Sequence, residues 1–135
     1  ILTDILPAPL AVEAAELAVP KGRTQPIAAT LALRSGAVPV SVEFDFLHEG
    51  VQRWDIEIDT PDGMLKLAMG GAELSIAGEA IPMGRNMEYQ RLYTRFADLV
   101  ARGESDVDLA PLRLVAEALE LGVRHEVEAF EFDTP

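Results

Sequence analysis

The chain has no cysteine. A disulfide framework, a thiolate nucleophile and a thiolate-ligated metal are therefore excluded, and a reducing cytoplasm suits such a sequence. Histidine is scarce too: His48 and His125 lie far apart, and neither has a His, Asp or Glu at ligand spacing on a shared face, so no metal site is read. Basic residues are few, eleven Lys and Arg against twenty-three Asp and Glu, for a formal net charge of −12. They form no basic stripe, and a field of this sign repels a phosphate backbone, which argues against nucleic acid as a partner. No apolar run is long enough to cross a membrane. There is no G-x-S-x-G, and Gly70-Gly71 precedes an expected strand rather than a helix, so it does not read as a dinucleotide phosphate loop.

What is present is a chain that is 49% apolar and, at 135 residues, long enough to bury one core. Its plainest feature is a C-terminal helical pair within Glu88–Arg124. In the first helix Tyr89, Leu92, Tyr93, Phe96, Leu99 and Val100 recur at helical spacing. The second repeats the pattern with Leu112, Val115, Ala116 and Leu119. Asp108 is placed to cap it, Pro111 falls in its first turn, and Gly122 is expected to end it in the left-handed conformation. Ile1–Leu6 reads as the last turns of a helix entered midway, so the chain is expected to be a piece of a longer protein.

Upstream of the helices the periodicity is two. Leu10–Val19 and Ile27–Leu33 are candidate strands around the turn-rich P-K-G-R-T-Q-P. From Val40 onward, alternation predicts an antiparallel meander of four strands, 40–47, 52–60, 64–69 and 72–81. A His48-Glu49-Gly50 loop would set Phe44 opposite Trp54, Val42 opposite Ile56 and Asp45 opposite Arg53. Beyond T-P-D-G, Ile58 would face Leu67, Thr60 would face Leu65 and Asp59 would face Lys66. A two-residue Gly-Gly turn would then set Leu67 opposite Leu74 and Leu65 opposite Ile76. The helical pair should cover the apolar face, and residues 125–132 should return as a final strand. The fold class is α+β, an open-faced, mainly antiparallel sheet with helices on one side.

Paired carboxylates are the raw material of acid–base chemistry, but Glu43, Asp45, Asp55, Glu57 and Asp59 fall on the solvated face in this register. The aromatic residues are the better candidates. Trp54 is expected near the tip of its strand with Gln52 on the same face, and Tyr89 opens the first long helix. Two readings stay open: core residues, or an indole, an amide and a phenol forming a sugar-sized platform.

Several runs taken in order point further. E-Y-x-x-L-Y-x-R-F-A-D-L-V at Glu88–Val100, S-D-V-D-L-A-P-L-R-L-V-A-E-A at Ser105–Ala118, V-E-A-F at Val127–Phe130, W-D-I at Trp54–Ile56 and M-G-G-A at Met69–Ala72 are among them. Together they resemble the glucose–fructose oxidoreductase and inositol dehydrogenase family, in its galactose and arabinose 1-dehydrogenase branch. The resemblance implies that residues 1–135 are a C-terminal substrate and dimerisation domain. An N-terminal Rossmann domain would bind NAD or NADP; its G-x-G-x-x-G, E-K-P and D-x-G motifs are absent here. It further implies an aldose substrate lined by Trp54, Tyr89 and Gln52, a homodimer formed through the sheet, and a fragment inert on its own. The alternative is a non-enzymatic sensor or scaffold, or a stand-alone module that dimerises by its sheet.

Overall fold

The computed structural model describes residues 1–131. In chain order the elements are α1 (Leu2–Ile5), β1 (Leu10–Pro20), β2 (Ala28–Ser35), β3 (Val38–Asp45), β4 (Ile56–Thr60), β5 (Gly63–Ala68), β6 (Glu73–Ile76), β7 (Glu79–Ile81), α2 (Glu88–Arg102), α3 (Ala110–Leu121) and β8 (Val123–Val127). They fall into two compact units. Glu49–Asp106 forms one, and Ile1–His48 with the chain from Val107 onward forms the other. The α+β class and the mainly antiparallel pairing hold, but the strands form two four-stranded sheets instead of one.

In the first unit the strand order is β3-β2-β1-β8, antiparallel except that β8 runs parallel to β1. β1 and β2 bring Ala15 opposite Leu31 and Leu17 opposite Ala29, with a bulge between Val12 and Ala14. The extra residue, Glu13, holds the guanidinium of Arg34 through both carboxylate oxygens. α3 lies on β1 and buries Ala118 against the sheet. Leu17, 1% exposed, is at the centre of this core.

β3 does not begin a meander. It pairs with β2 along its whole length, Leu33 opposite Val40, Leu31 opposite Val42 and Ala29 opposite Phe44. The hairpin turns through Gly36-Ala37, with Gly36 at φ +60°. The expected pairs Phe44 with Trp54, Val42 with Ile56 and Asp45 with Arg53 are therefore absent, because a partner two residues away closes at less entropic cost than one across a longer loop. β3 ends where Asp45 Oδ1 accepts the Leu47 N–H at 2.8 Å.

Two further expectations change in this unit. Gly122 is extended (φ −65°, ψ 131°), not left-handed, and it links α3 directly to β8. The final strand starts at Val123 and ends at Val127, earlier than expected; Phe132 lies outside the described residues. As expected, Asp108 Oδ1 accepts the Ala110 N–H (2.8 Å) at the start of α3, and Pro111 lies in its first turn.

The end of β2 is fixed from outside the sheet. The buried Ser35 hydroxyl donates to the Ala8 carbonyl (2.6 Å) and accepts the Ala8 N–H (3.1 Å). Ser35→Ala would leave both backbone groups without partners. The expected loss is about 1–2 kcal/mol in urea unfolding, and a variant with an unchanged midpoint would contradict it.

The second unit contains a true meander, β4-β5-β6-β7. Leu67 stands opposite Leu74 and Leu65 opposite Ile76, as the alternation requires. Ile58 faces Leu65 rather than Leu67, and Glu57 rather than Asp59 faces Lys66. The slip is two residues, so the apolar residues keep their face. Its cause is a tighter turn at Pro61-Asp62, held by Thr60 Oγ1, which donates to the Gly63 carbonyl at 2.7 Å and accepts the Asp62 N–H at 3.3 Å. Met69–Gly71 forms a 3₁₀ turn instead of a Gly-Gly hairpin. The expected strand 72–81 is broken at Ala77-Gly78, where both residues have positive φ as a tight type I′ turn demands.

The expected helical pair is divided between the units: α3 rests on β1, whereas α2 belongs to the second unit. Its stripe of Tyr89, Leu92, Tyr93, Phe96 and Val100 is exposed. α2 ends in a Schellman motif. Gly103 is left-handed at φ +64°, its N–H reaches Val100 (3.2 Å), and the Glu104 N–H reaches Leu99 (3.0 Å).

Candidate functional site

All three residues singled out from the sequence lie in the second unit. Gln52 and Trp54 do not sit on a strand, since β4 begins only at Ile56. They occupy the irregular stretch before it and are exposed. Trp54 is anchored by its backbone: its carbonyl accepts the Gly70 N–H at 3.2 Å, which ties this stretch to the turn between β5 and β6. The indole, 43% exposed, is left available.

Tyr89 stands in the first turn of α2. Asn86 Oδ1 accepts the Glu88 N–H at 2.9 Å and so satisfies one of the free donors at the helix start. The Tyr89 ring has Tyr93 as its neighbour, centroids 6.4 Å apart and planes inclined at 31°. Among the described residues no hydrogen bond or ring contact joins Trp54, Gln52 and Tyr89 to one another. The sequence pattern places Tyr93 only in the apolar stripe of α2. The signal that separates it from the rest of that stripe is a second phenol four residues after the first.

The carboxylates nearest to Trp54 in sequence are occupied. Lys66 Nζ is 2.7 Å from Glu57 Oε1 and 3.4 Å from Asp55 Oδ2. The hydrogen bond to Glu57, then its charge, then Asp55 hold the ammonium above its ordinary value. A raised cationic group stabilises fully below its unfolded pKa and loses that contribution as pH rises through the folded one. This pairing therefore acts across neutral pH and fades as the lysine loses its proton in alkali. His125 bonds to Glu16 in the first unit. Among the described residues no three of His, Asp and Glu gather as a metal site, and no helix is long and apolar enough to cross a membrane.

The arrangement offers flat aromatic faces, phenol hydroxyls and an amide, which are groups that bind and orient a polar molecule with apolar faces. Gly70 and Gly71 lie in the turn between β5 and β6 rather than between a strand and a long helix, so this pair is not a dinucleotide phosphate loop.

No family model matches the chain. Individual proteins do. A galactose 1-dehydrogenase of Pseudomonas fluorescens is 44% identical over 131 residues, 96% of this chain and 43% of that protein. The crystal structure of D-galactose-1-dehydrogenase from Rhizobium etli superposes with a TM-score of 0.88 at 46% identity, over 96% of this chain and 42% of that one. The chain is similar to the C-terminal portion of a galactose 1-dehydrogenase. The resemblance to the glucose–fructose oxidoreductase and inositol dehydrogenase family is thereby upheld. A 3-ketoreductase from Actinomadura kijaniata, KijD10, solved with TDP-benzene and NADP, shares the fold at 16% identity and a TM-score of 0.74, over 93% of this chain and 45% of its own. The chain spans less than half the length of these dehydrogenase relatives.

Proposed function

We infer that this chain is the sugar-facing portion of an aldose 1-dehydrogenase acting on galactose or a closely similar sugar. The observation that carries the reading is 44% identity to a galactose 1-dehydrogenase along 96% of the chain, which also favours an enzyme over a sensor or scaffold. NAD or NADP would be bound by the part of the protein beyond these residues, and this chain alone would be inert. The oxidation removes hydride from C1 and the proton from its hydroxyl. The residues described here would hold the sugar still while that happens: Trp54 as a stacking plane, Tyr89 and Gln52 as hydrogen-bond partners.

A homodimer formed through an open sheet face belongs to the same reading. Its support is the side of the first sheet bearing Ala14, Ala32 and Ser41, aligned across three strands and exposed. The cysteine-free sequence suits the cytoplasm as its compartment.

The test is steady-state kinetics of the full-length enzyme with D-galactose. Trp54→Ala should raise KM about tenfold or more and Tyr89→Phe about fivefold, with melting temperatures held. If KM and kcat of both variants match those of the unaltered enzyme, these residues do not line the site.

A further inference from the structure

The stripe along α2 changes character from one end to the other. Phe96 and Val100, toward the C-terminus, present hydrocarbon only. Tyr89 and Tyr93, toward the N-terminus, each add a hydroxyl. These two rings are neighbours on one helix face, 6.4 Å apart and inclined by 31°, and they are 68% and 67% exposed. Among the described residues neither hydroxyl has a hydrogen-bond partner. A face built only to be buried in hydrocarbon would strand both O–H groups at the full cost of their desolvation. Whatever meets this end of the helix must combine an apolar surface with hydrogen-bonding groups.

A pyranose has both. Its C–H face lies flat on an aromatic ring, and its hydroxyls donate and accept at the rim. We propose that Tyr93 is a second sugar-binding tyrosine, one turn after Tyr89, so that the two rings form a continuous platform and each phenol reaches a sugar hydroxyl. This rests on the reading of the chain as the sugar-facing portion of an aldose 1-dehydrogenase. It adds a residue that the sequence pattern had assigned to packing. Two rings inclined to each other constrain the tilt of a bound sugar as well as its position, so the pair would favour the ring shape and hydroxyl arrangement of one aldose over its epimers.

Tyr93→Phe separates the two roles, because it keeps the ring and its packing and removes only the hydroxyl. In the full-length enzyme the variant should raise KM for D-galactose about five- to tenfold, with kcat within about twofold and the melting temperature unchanged. Tyr93→Ala, which removes the platform as well, should raise KM further. An unchanged KM in Tyr93→Phe beside a raised KM in Tyr89→Phe would overturn the role of Tyr93 and leave the sugar-facing reading standing. A lowered melting temperature with an unchanged KM would also overturn it, since the hydroxyl would then be an anchor for the fold. An unaltered enzyme that oxidises no aldose would bring down the reading and this inference together.

Discussion

Leu17→Ala is expected to cost about 2–5 kcal/mol in urea unfolding, the range for deleting a fully buried leucine from a core that relaxes only partly. Leu17 is 1% exposed on β1, between the neighbouring strands β2 and β8 and beneath α3. The first unit has few alternatives to it. Among the described residues the other large buried apolar side chain is Leu33, and the rest are the small Ala15 and Ala118, so the cavity would have little nearby hydrocarbon to collapse into it. A loss below about 1 kcal/mol, measured as a shift in midpoint at constant m, would mean that the centre of this core lies elsewhere.

Gly122→Ala should destabilise by about 3 kcal/mol for the opposite reason, overpacking. A methyl group there would lie 2.6 Å from Leu17 Cδ1, 2.7 Å from Leu17 Cγ and 2.7 Å from the Ala118 carbonyl oxygen. The first two contacts involve the side chain that Leu17→Ala removes. The two substitutions should therefore be strongly non-additive, with Gly122→Ala costing about 1–2 kcal/mol less in the Leu17→Ala background. Part of the penalty should remain, because the Ala118 carbonyl belongs to the backbone of α3 and does not move with Leu17. Strict additivity in this cycle would show that the glycine is not required by close approach.

The same residue illustrates how far the sequence could be read. A glycine at the end of a helical pattern usually marks a left-handed cap, and at Gly103 that reading fits the end of α2. At Gly122 the same local pattern has a different cause, the approach of the leucine on β1, more than a hundred residues earlier in the chain. Periodicity located both helices and most of the strands, since apolar spacing reports directly on which side of an element is buried. It could not choose partners. The alternation of Val40, Val42 and Phe44 fits β2 as well as β4, and the turn that decided the matter was the inconspicuous Gly36-Ala37. The proposed site residues differ in how visibly the sequence marks them. Trp54 and Tyr89 stand out by residue type, whereas Tyr93 satisfies a packing pattern that is blind to its hydroxyl. The strand expected under Gln52 and Trp54 failed because β3 had already found its partner.

The pairing of β8 with β1 has a consequence for synthesis. β1, β2 and β3 are complete once about a third of the chain has been made, but one edge of β1 has its neighbour only when Val123–Val127 arrives. At translation rates of about 5–20 residues per second, that edge stays open for several seconds while the other unit is made. An unpaired β-edge invites pairing with another nascent chain. On the polysome the edge of β1 is therefore open to such pairing until β8 emerges, and a pause downstream of Asp45 would prolong the exposure.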